Sequence, residues 1–287
     1  MARLKFHIDT LQGHQTKSQV RQLLIEELGA LRCESSKRNL RVLGLPADGW
    51  GFEQLMLDYG IGRRIDSVIG LEAKRSIFRK SKRTAYQLRR RYPDTKFHLF
   101  NTTDYRFWEP GNNGGLDDTK GIRGKCHLSE GLDFIWLDWM NCWSKGPHAN
   151  LNAMAANLNV FNRAWKAGKP GLLYVTLCSA GVQELRSHMA ILSAALYDYT
   201  GEIIRAETAD AEQRFQLRFK GLTAWINLKS RAEGIQCIPT KSIIYREPGH
   251  HKRPMILQGW EVYPVGADRN GLKPAVIAEM KPSRIIA

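Results

Sequence analysis

Between Asn39 and Tyr199 short runs of apolar, strand-forming residues alternate with longer stretches in which apolar residues recur at helical spacing. Nothing else in the chain constrains the fold as strongly. Consecutive strands separated by helix-length segments cannot pair as hairpins, so the pattern predicts a mostly parallel sheet covered by helices. The strands fall at Leu40 to Leu45, Ser67 to Leu71, Lys96 to Asn101, Asp133 to Leu137 and Gly171 to Cys178. Helices are predicted at Phe52 to Tyr59, Ala73 to Tyr92, Ala149 to Ala167 and Val182 to Tyr199.

The flanking segments differ in character. Residues 1–38 form a helical lead, in which Val20, Leu23, Leu24, Ile25, Leu28 and Leu31 sit at helical spacing from Thr16 onward. Residues 39–200 form the α/β core. Residues 201–287 form a β-rich extension, with antiparallel strands expected at Phe215 to Phe219, Thr223 to Leu228, Ile235 to Ile238, Ser242 to Tyr245 and Met255 to Tyr263. That extension either widens the sheet or forms a small appendage. The stretch Glu109 to Gly131, with six glycines, reads as a loop, and Pro248 to Pro254 as an exposed basic one.

Chemistry concentrates at the predicted carboxyl ends of the strands. After the first strand comes a turn, Pro46, Ala47, Asp48, Gly49, Trp50, Gly51, whose glycines let backbone approach a ligand closely. The second strand ends in Glu72, about 20 residues further on, where a carboxylate can accept hydrogen bonds from both hydroxyls of a ribose. The third leads to Asn101, Thr102, Thr103 and Asp104, and the fourth ends in Asp138, Trp139, Met140, Asn141, Cys142, Trp143.

This order and spacing, from Asn39 to Tyr199, resembles the class I S-adenosylmethionine-dependent methyltransferases, which have a Rossmann-like sheet. The resemblance implies that Asp48, Gly49 and Gly51 hold the methionine end of the cofactor, Glu72 its ribose and Asp104 its adenine. Asp138 with its aromatic neighbours, Trp139 first, would then face the substrate. The first turn departs from the family's acid-x-Gly-x-Gly-x-Gly: Gly44 stands in the place of the strand-one acid and Pro46 in that of the first glycine. A nicotinamide-binding G-x-G-x-x-G is absent at that turn.

The identity of the methyl acceptor stays open. Amino-directed nucleic-acid methyltransferases follow a strand-four acid or amide with two prolines and an aromatic; Asp138 and Trp139 have the polar and aromatic parts without the prolines. Carbon-directed chemistry needs a thiolate. The run Leu173 to Ser179, with Cys178, is similar to the strand-five cysteine segment of RNA cytosine-C5 methyltransferases, while Cys142 lies four residues after Asp138 instead of three.

The partner signal is electrostatic. The chain carries 43 Lys and Arg against 28 Asp and Glu, a formal +15, which favours a polyanion. From Lys74 to Lys96 stand ten cations and one acid, Asp94. On a helix, Ile77, Ser81, Ala85, Leu88 and Tyr92 make one packing stripe, and Lys74, Arg75, Arg79, Lys80, Lys82, Arg83, Arg89, Arg90 and Arg91 cover the rest. This face is either a solvated surface or a phosphate-binding ridge, to which Trp143 adds an aromatic for base stacking.

Other classes are disfavoured. No apolar run reaches the roughly 20 residues of a membrane span, the first ten residues lack a signal-peptide centre, and a cytoplasmic protein is expected. Five cysteines without a C-x-x-C pair argue against disulfide frameworks and structural zinc. The expected protein is a nucleic-acid methyltransferase using S-adenosylmethionine. The alternative is a non-catalytic nucleic-acid-binding protein that keeps the fold, favoured by the altered first turn.

Overall fold

A computed structural model describes residues 15–34, 40–46, 49–61, 65–102, 107, 132–138, 171–178, 186–232, 234–240, 242–246, 254–264, 276–277, 279–280 and 284–286. Helix α1 (Gln15–Glu34) leads into β1 (Leu40–Gly44), α2 (Gly51–Met56), β2 (Ile65–Leu71), α3 (Arg75–Arg91) and β3 (Lys96–Phe100). Next come β4 (Phe134–Asp138), β5 (Gly171–Cys178) and α4 (Arg186–Thr200). The chain continues through α5 (Ala211–Gln216), α6 (Leu222–Ala232), β6 (Ile235–Pro239), β7 (Ile243–Arg246), β8 (Pro254–Pro264) and β9 (Arg284–Ile286). Single π-helical turns, Leu57–Ile61 and Leu217–Gly221, extend α2 and join α5 to α6.

Among the described residues, all strands belong to one sheet of order β3-β2-β1-β4-β5-β8-β7-β9, with β6 also paired to β8. The pairs β3-β2, β2-β1, β1-β4 and β4-β5 are parallel; β8 runs antiparallel to β5, β6 and β7. The fold is therefore a Rossmann-like α/β sheet flanked by helices, and the C-terminal strands widen it. Long β8 makes this possible, because one edge pairs with β5 throughout while the other is shared between β7 and β6.

Strict alternation along the strands builds the two faces. Val42, Val68, Phe134, Trp136 and Tyr174 meet α1, α2 and α3, whereas Leu43, Ile69, Ile135, Leu137 and Val175 meet α4 and α6. Both faces are apolar because parallel sheets are covered on both sides. On the first face Phe52 stacks on Phe134 at 5.5 Å and sets its ring edge to Trp136 at 4.9 Å, which docks α2 onto β4.

The predicted strands at Phe215 to Phe219 and Thr223 to Leu228 are helical instead. An Asp210–Gln213 capping box starts this helical stretch. Its residues Leu222 to Asn227 are all buried, so no polar face marks a helical period, and Phe215, Leu217 and Phe219 imitate an alternating strand. The helix predicted at Ala149 to Ala167, the glycine-rich loop Glu109 to Gly131 and the loop between β7 and β8 lie outside the described residues.

The turn after β1 is fixed by one side chain. Trp50 adopts a left-handed backbone conformation (φ 51°), is fully buried, and donates its indole N–H to Ser81 Oγ at 2.5 Å and Ser81 O at 3.1 Å on α3. Gly70 in β2 leaves room for it: a Cβ there would lie 2.8 Å from both the Trp50 ring and Pro46. Gly70→Val should therefore destabilise the protein by about 1–3 kcal/mol. A lowered urea midpoint at unchanged m checks this, and a midpoint equal to the wild type would show that the turn yields freely.

Candidate functional site

Strand order reverses between β1 and β4, the position at which open α/β sheets bind ligands beyond the carboxyl ends of their strands. The ends that open here are Gly44 on β1, Glu72 after β2 and Asp138 on β4. Alternation puts Gly44 and Asp138 on the face carrying α1 and α2, in phase with Val42 and Trp136.

Glu72 is half-buried. Its Oε1 accepts the Lys74 backbone N–H at 2.7 Å, which ties the carboxylate to the start of α3. The Asn101 amide donates to the Glu72 and Ala73 carbonyls at 2.8 and 3.2 Å, holding the end of β3 to the end of β2. Oε2 takes no hydrogen bond among the described residues. Glu72 thus has a fixed orientation and one oxygen left to accept hydroxyl donors.

Sequence reasoning missed Glu53, and the structure puts it at the centre of the site. It lies in the first turn of α2, is only 3% exposed, and its Oε1 sits 2.9 Å from where a Gly44 Cβ would be. Its carboxyl therefore occupies the space beside the end of β1 that a strand-one side chain would fill. Burial raises its pKa from the ordinary 4.5 to about 7; its own backbone N–H and the Arg21 guanidinium oppose the rise, and Asp138 adds to it. Arg21, on α1, lies over the turn, with Nη1 2.9 Å from the position of a Gly51 Cβ. The available signal was an acid three residues after Trp50, following a strand that ends in glycine.

Gly49 is exposed at the rim and its carbonyl accepts from the Gln54 amide; Gly51 opens α2 beneath Arg21. The predicted site residues Asp48, Asp104, Trp139 and Trp143 lie outside the described residues. Cys178 ends β5, two residues beyond Thr176, the register partner of Asp138, and Thr176 Oγ1 accepts the Trp136 indole N–H at 3.0 Å. Among the described residues there is no group of three metal-ligating side chains, and no helix long and apolar enough to cross a membrane.

The basic helix packs as its stripe predicts, with Ser81, Ala85 and Leu88 buried. Two of its cations are engaged within the chain: Arg89 donates to the Phe97 carbonyl, and Arg91 pairs with Asp58 at 2.7 Å. Lys74, Arg75, Arg79, Lys80, Lys82, Arg83 and Arg90 are exposed and make no ion pair among the described residues. Tyr86, 61% exposed, lies at spacings of three and four from Lys82, Arg83 and Arg90.

No family model and no curated protein sequence matches the chain. Several solved structures align with it over most of its length. A proposed RNA methyltransferase from Pyrococcus horikoshii is 12% identical, with 94% of this chain and 93% of that chain covered and a TM-score of 0.45. A proposed class I S-adenosylmethionine-dependent methyltransferase from Listeria monocytogenes is 11% identical over 98% of this chain and 68% of that chain, at 0.47. Magnesium protoporphyrin IX methyltransferase from Synechocystis, solved with S-adenosylhomocysteine, is 7% identical over 91% and 89%, at 0.42.

A carboxyl with a raised pKa in the fold contributes stability below its unfolded value of 4.5, and that contribution is lost as pH rises through about 7. Glu53→Gln keeps the volume and removes the charge. The variant should gain on the wild type between pH 5 and pH 8, by up to about 3 kcal/mol at the alkaline end. Urea unfolding at the two pH values measures the gain, and a pH-independent difference would contradict it.

Proposed function

We propose that the chain binds S-adenosylmethionine at the crevice between β1 and β4 and transfers its methyl group to a base of a nucleic acid. The observation that carries this reading is the placement of the Gly49 to Gly51 turn and the acids Glu53 and Asp138 at the point where strand order reverses, with Glu72 at the end of the neighbouring β2. A turn of small residues admits the ligand close to backbone, and an oriented carboxylate after the second strand suits a ribose. Among the described residues no cation closes an ion pair with the buried Glu53, so the donor set fits a ligand that brings positive charge.

When bound, S-adenosylmethionine supplies an electrophilic methyl group on a sulfonium. The chain's part is to bind and orient. Glu72 Oε2 accepts from ribose hydroxyls, and Asp104 is assigned to adenine by the resemblance. Asp138 ends β4 and Trp139 follows it in sequence; to these the resemblance assigns the holding of a base amine by hydrogen bonds and stacking. Cys178, one strand over, is the nucleophile in the carbon-directed version.

The nucleic-acid part rests on α3. Its exposed cations run about 22 Å from Arg75 to Arg90 at 1.5 Å per residue. The residues that remain free to meet phosphates are Lys74, Arg75, Arg79, Lys80, Lys82, Arg83 and Arg90, while Arg89 and Arg91 bind only by giving up their partners within the chain. Trp50 filling the turn beneath the site favours a second reading, a nucleic-acid-binding protein without methyl transfer.

Calorimetric titration with S-adenosylhomocysteine separates the two. The transferase reading expects binding in the micromolar range, weakened about tenfold or more by Glu72→Ala. No binding by the wild type would leave the second reading. For the ridge, Arg79, Arg83 and Arg90 changed together to alanine should lower the slope of log affinity against log salt by about one for each phosphate no longer neutralised. An unchanged slope would make α3 a solvated face.

A further inference from the structure

We infer that Tyr86, on the outward face of α3, is a stacking platform for a base of single-stranded nucleic acid, with the cations around it holding the phosphates on either side of that base. The inference rests on the reading of α3 as a phosphate-binding ridge, and it adds which form of nucleic acid the ridge takes and where a base is held.

A single exposed aromatic is ordinary on a protein surface. Tyr86 is set apart by what surrounds it. The packing of α3 is completed without it by Ser81, Ala85 and Leu88, all buried. Its side chain is 61% exposed, and among the described residues its ring stacks on no other ring, carries no cation over its face and makes no hydrogen bond. At about 100° per residue, Arg75 and Arg79 fall within about 20° of Tyr86 around the helix axis, and Lys82 and Arg90 within about 40°. The ring therefore stands on the line of cations, on the side of the helix turned away from the buried stripe. From Arg75 to Arg91 no acidic residue interrupts that line.

Two chemistries are thereby set side by side, an open π-face and cations one turn before and after it. Lys82 and Arg90 each lie about 6 Å from Tyr86 along the axis, a spacing comparable with that of successive phosphates on an extended strand. An acidic protein surface would answer the cations and leave the ring unused. A duplex would do the same, because its base faces are stacked on one another. An unpaired strand supplies phosphates and open base faces together, in the order that α3 presents their counterparts. The helix starts three residues after Glu72, and Tyr86 stands about 16 Å beyond Arg75 along it. The base on Tyr86 is thus a different one from the base at the crevice, and the ring anchors the strand at a distance from the chemistry.

The test measures binding of a fluorescent oligodeoxyadenylate of about 12 nucleotides, of the same strand paired in a duplex, and of an abasic strand of equal length and charge, all at one salt concentration. The wild type should bind the unpaired strand at least about tenfold more tightly than the abasic one. Tyr86→Ala should weaken binding of the unpaired strand about tenfold and leave the other two unchanged, with the same salt slope as the wild type, since no phosphate contact is removed. Tyr86→Phe keeps the ring and should match the wild type. Alanine favours the helix, and unchanged affinity for the abasic strand reports that the variant is folded. Equal wild-type affinity for unpaired and abasic strands overturns the platform and leaves the ridge standing, as does a Tyr86→Ala variant that keeps full affinity or weakens toward all three probes alike. A wild type that prefers the duplex overturns the single-strand assignment. A wild type that binds none of the three overturns the ridge and the platform together.

Discussion

Everything at the carboxyl edge depends on the burial of Trp50. A non-glycine residue in the left-handed region carries a backbone penalty, and here the indole offsets it by filling the space over Gly70, meeting Phe97 edge-on at 6.0 Å and donating to Ser81. The same side chain therefore sets the exit angle from β1, the start of α2 and the seating of α3. Glu53 reaches the end of β1 because α2 begins where Trp50 places it. The basic helix is tied to this turn through Ser81, the residue that Trp50 holds.

How much of this was legible follows from which residues carry a period. Strands β1 to β5 were readable because each is a short apolar run bounded by breakers, and Glu72 and Asp138 fall at the strand ends as read, while β1 stops at Gly44, one residue before the expected Leu45. Helix α3 was readable from both its buried stripe and its charges. The segment from Leu217 to Asn227 was not, since a helix buried on nearly every side loses the polar face by which sequence reveals it. Glu53 was hard to single out for a different reason. An acid in the first turn of a helix is the ordinary complement of the helix dipole, and only the three-dimensional proximity of Gly44 shows that it serves the strand end.

The division between Arg89 and Arg91 on one side and Arg79, Arg83 and Arg90 on the other could not be drawn from composition. All are arginines on one helix. Asp58 from the π-turn and the Phe97 carbonyl from β3 claim two of them, and that choice is made by tertiary packing at the C-terminal end of α3. Tyr92 contributes to the same knot by donating to Asp58, under the Arg91 guanidinium at 5.2 Å.

The two electrostatic features of the chain have opposite signs and adjoin each other, which constrains how a polyanion would approach. Glu72 closes β2 and α3 starts three residues later, so the cationic face begins where the acidic edge ends. Phosphates are attracted to α3 and repelled by Glu72, Asp138 and the ionised fraction of Glu53. In the proposed complex the backbone of the nucleic acid is thereby kept on the helix, and only an uncharged part of it, a base, can enter the acidic crevice without electrostatic cost. In that proposed complex the sign pattern selects which part of the nucleic acid reaches the strand ends, before any specific contact is made.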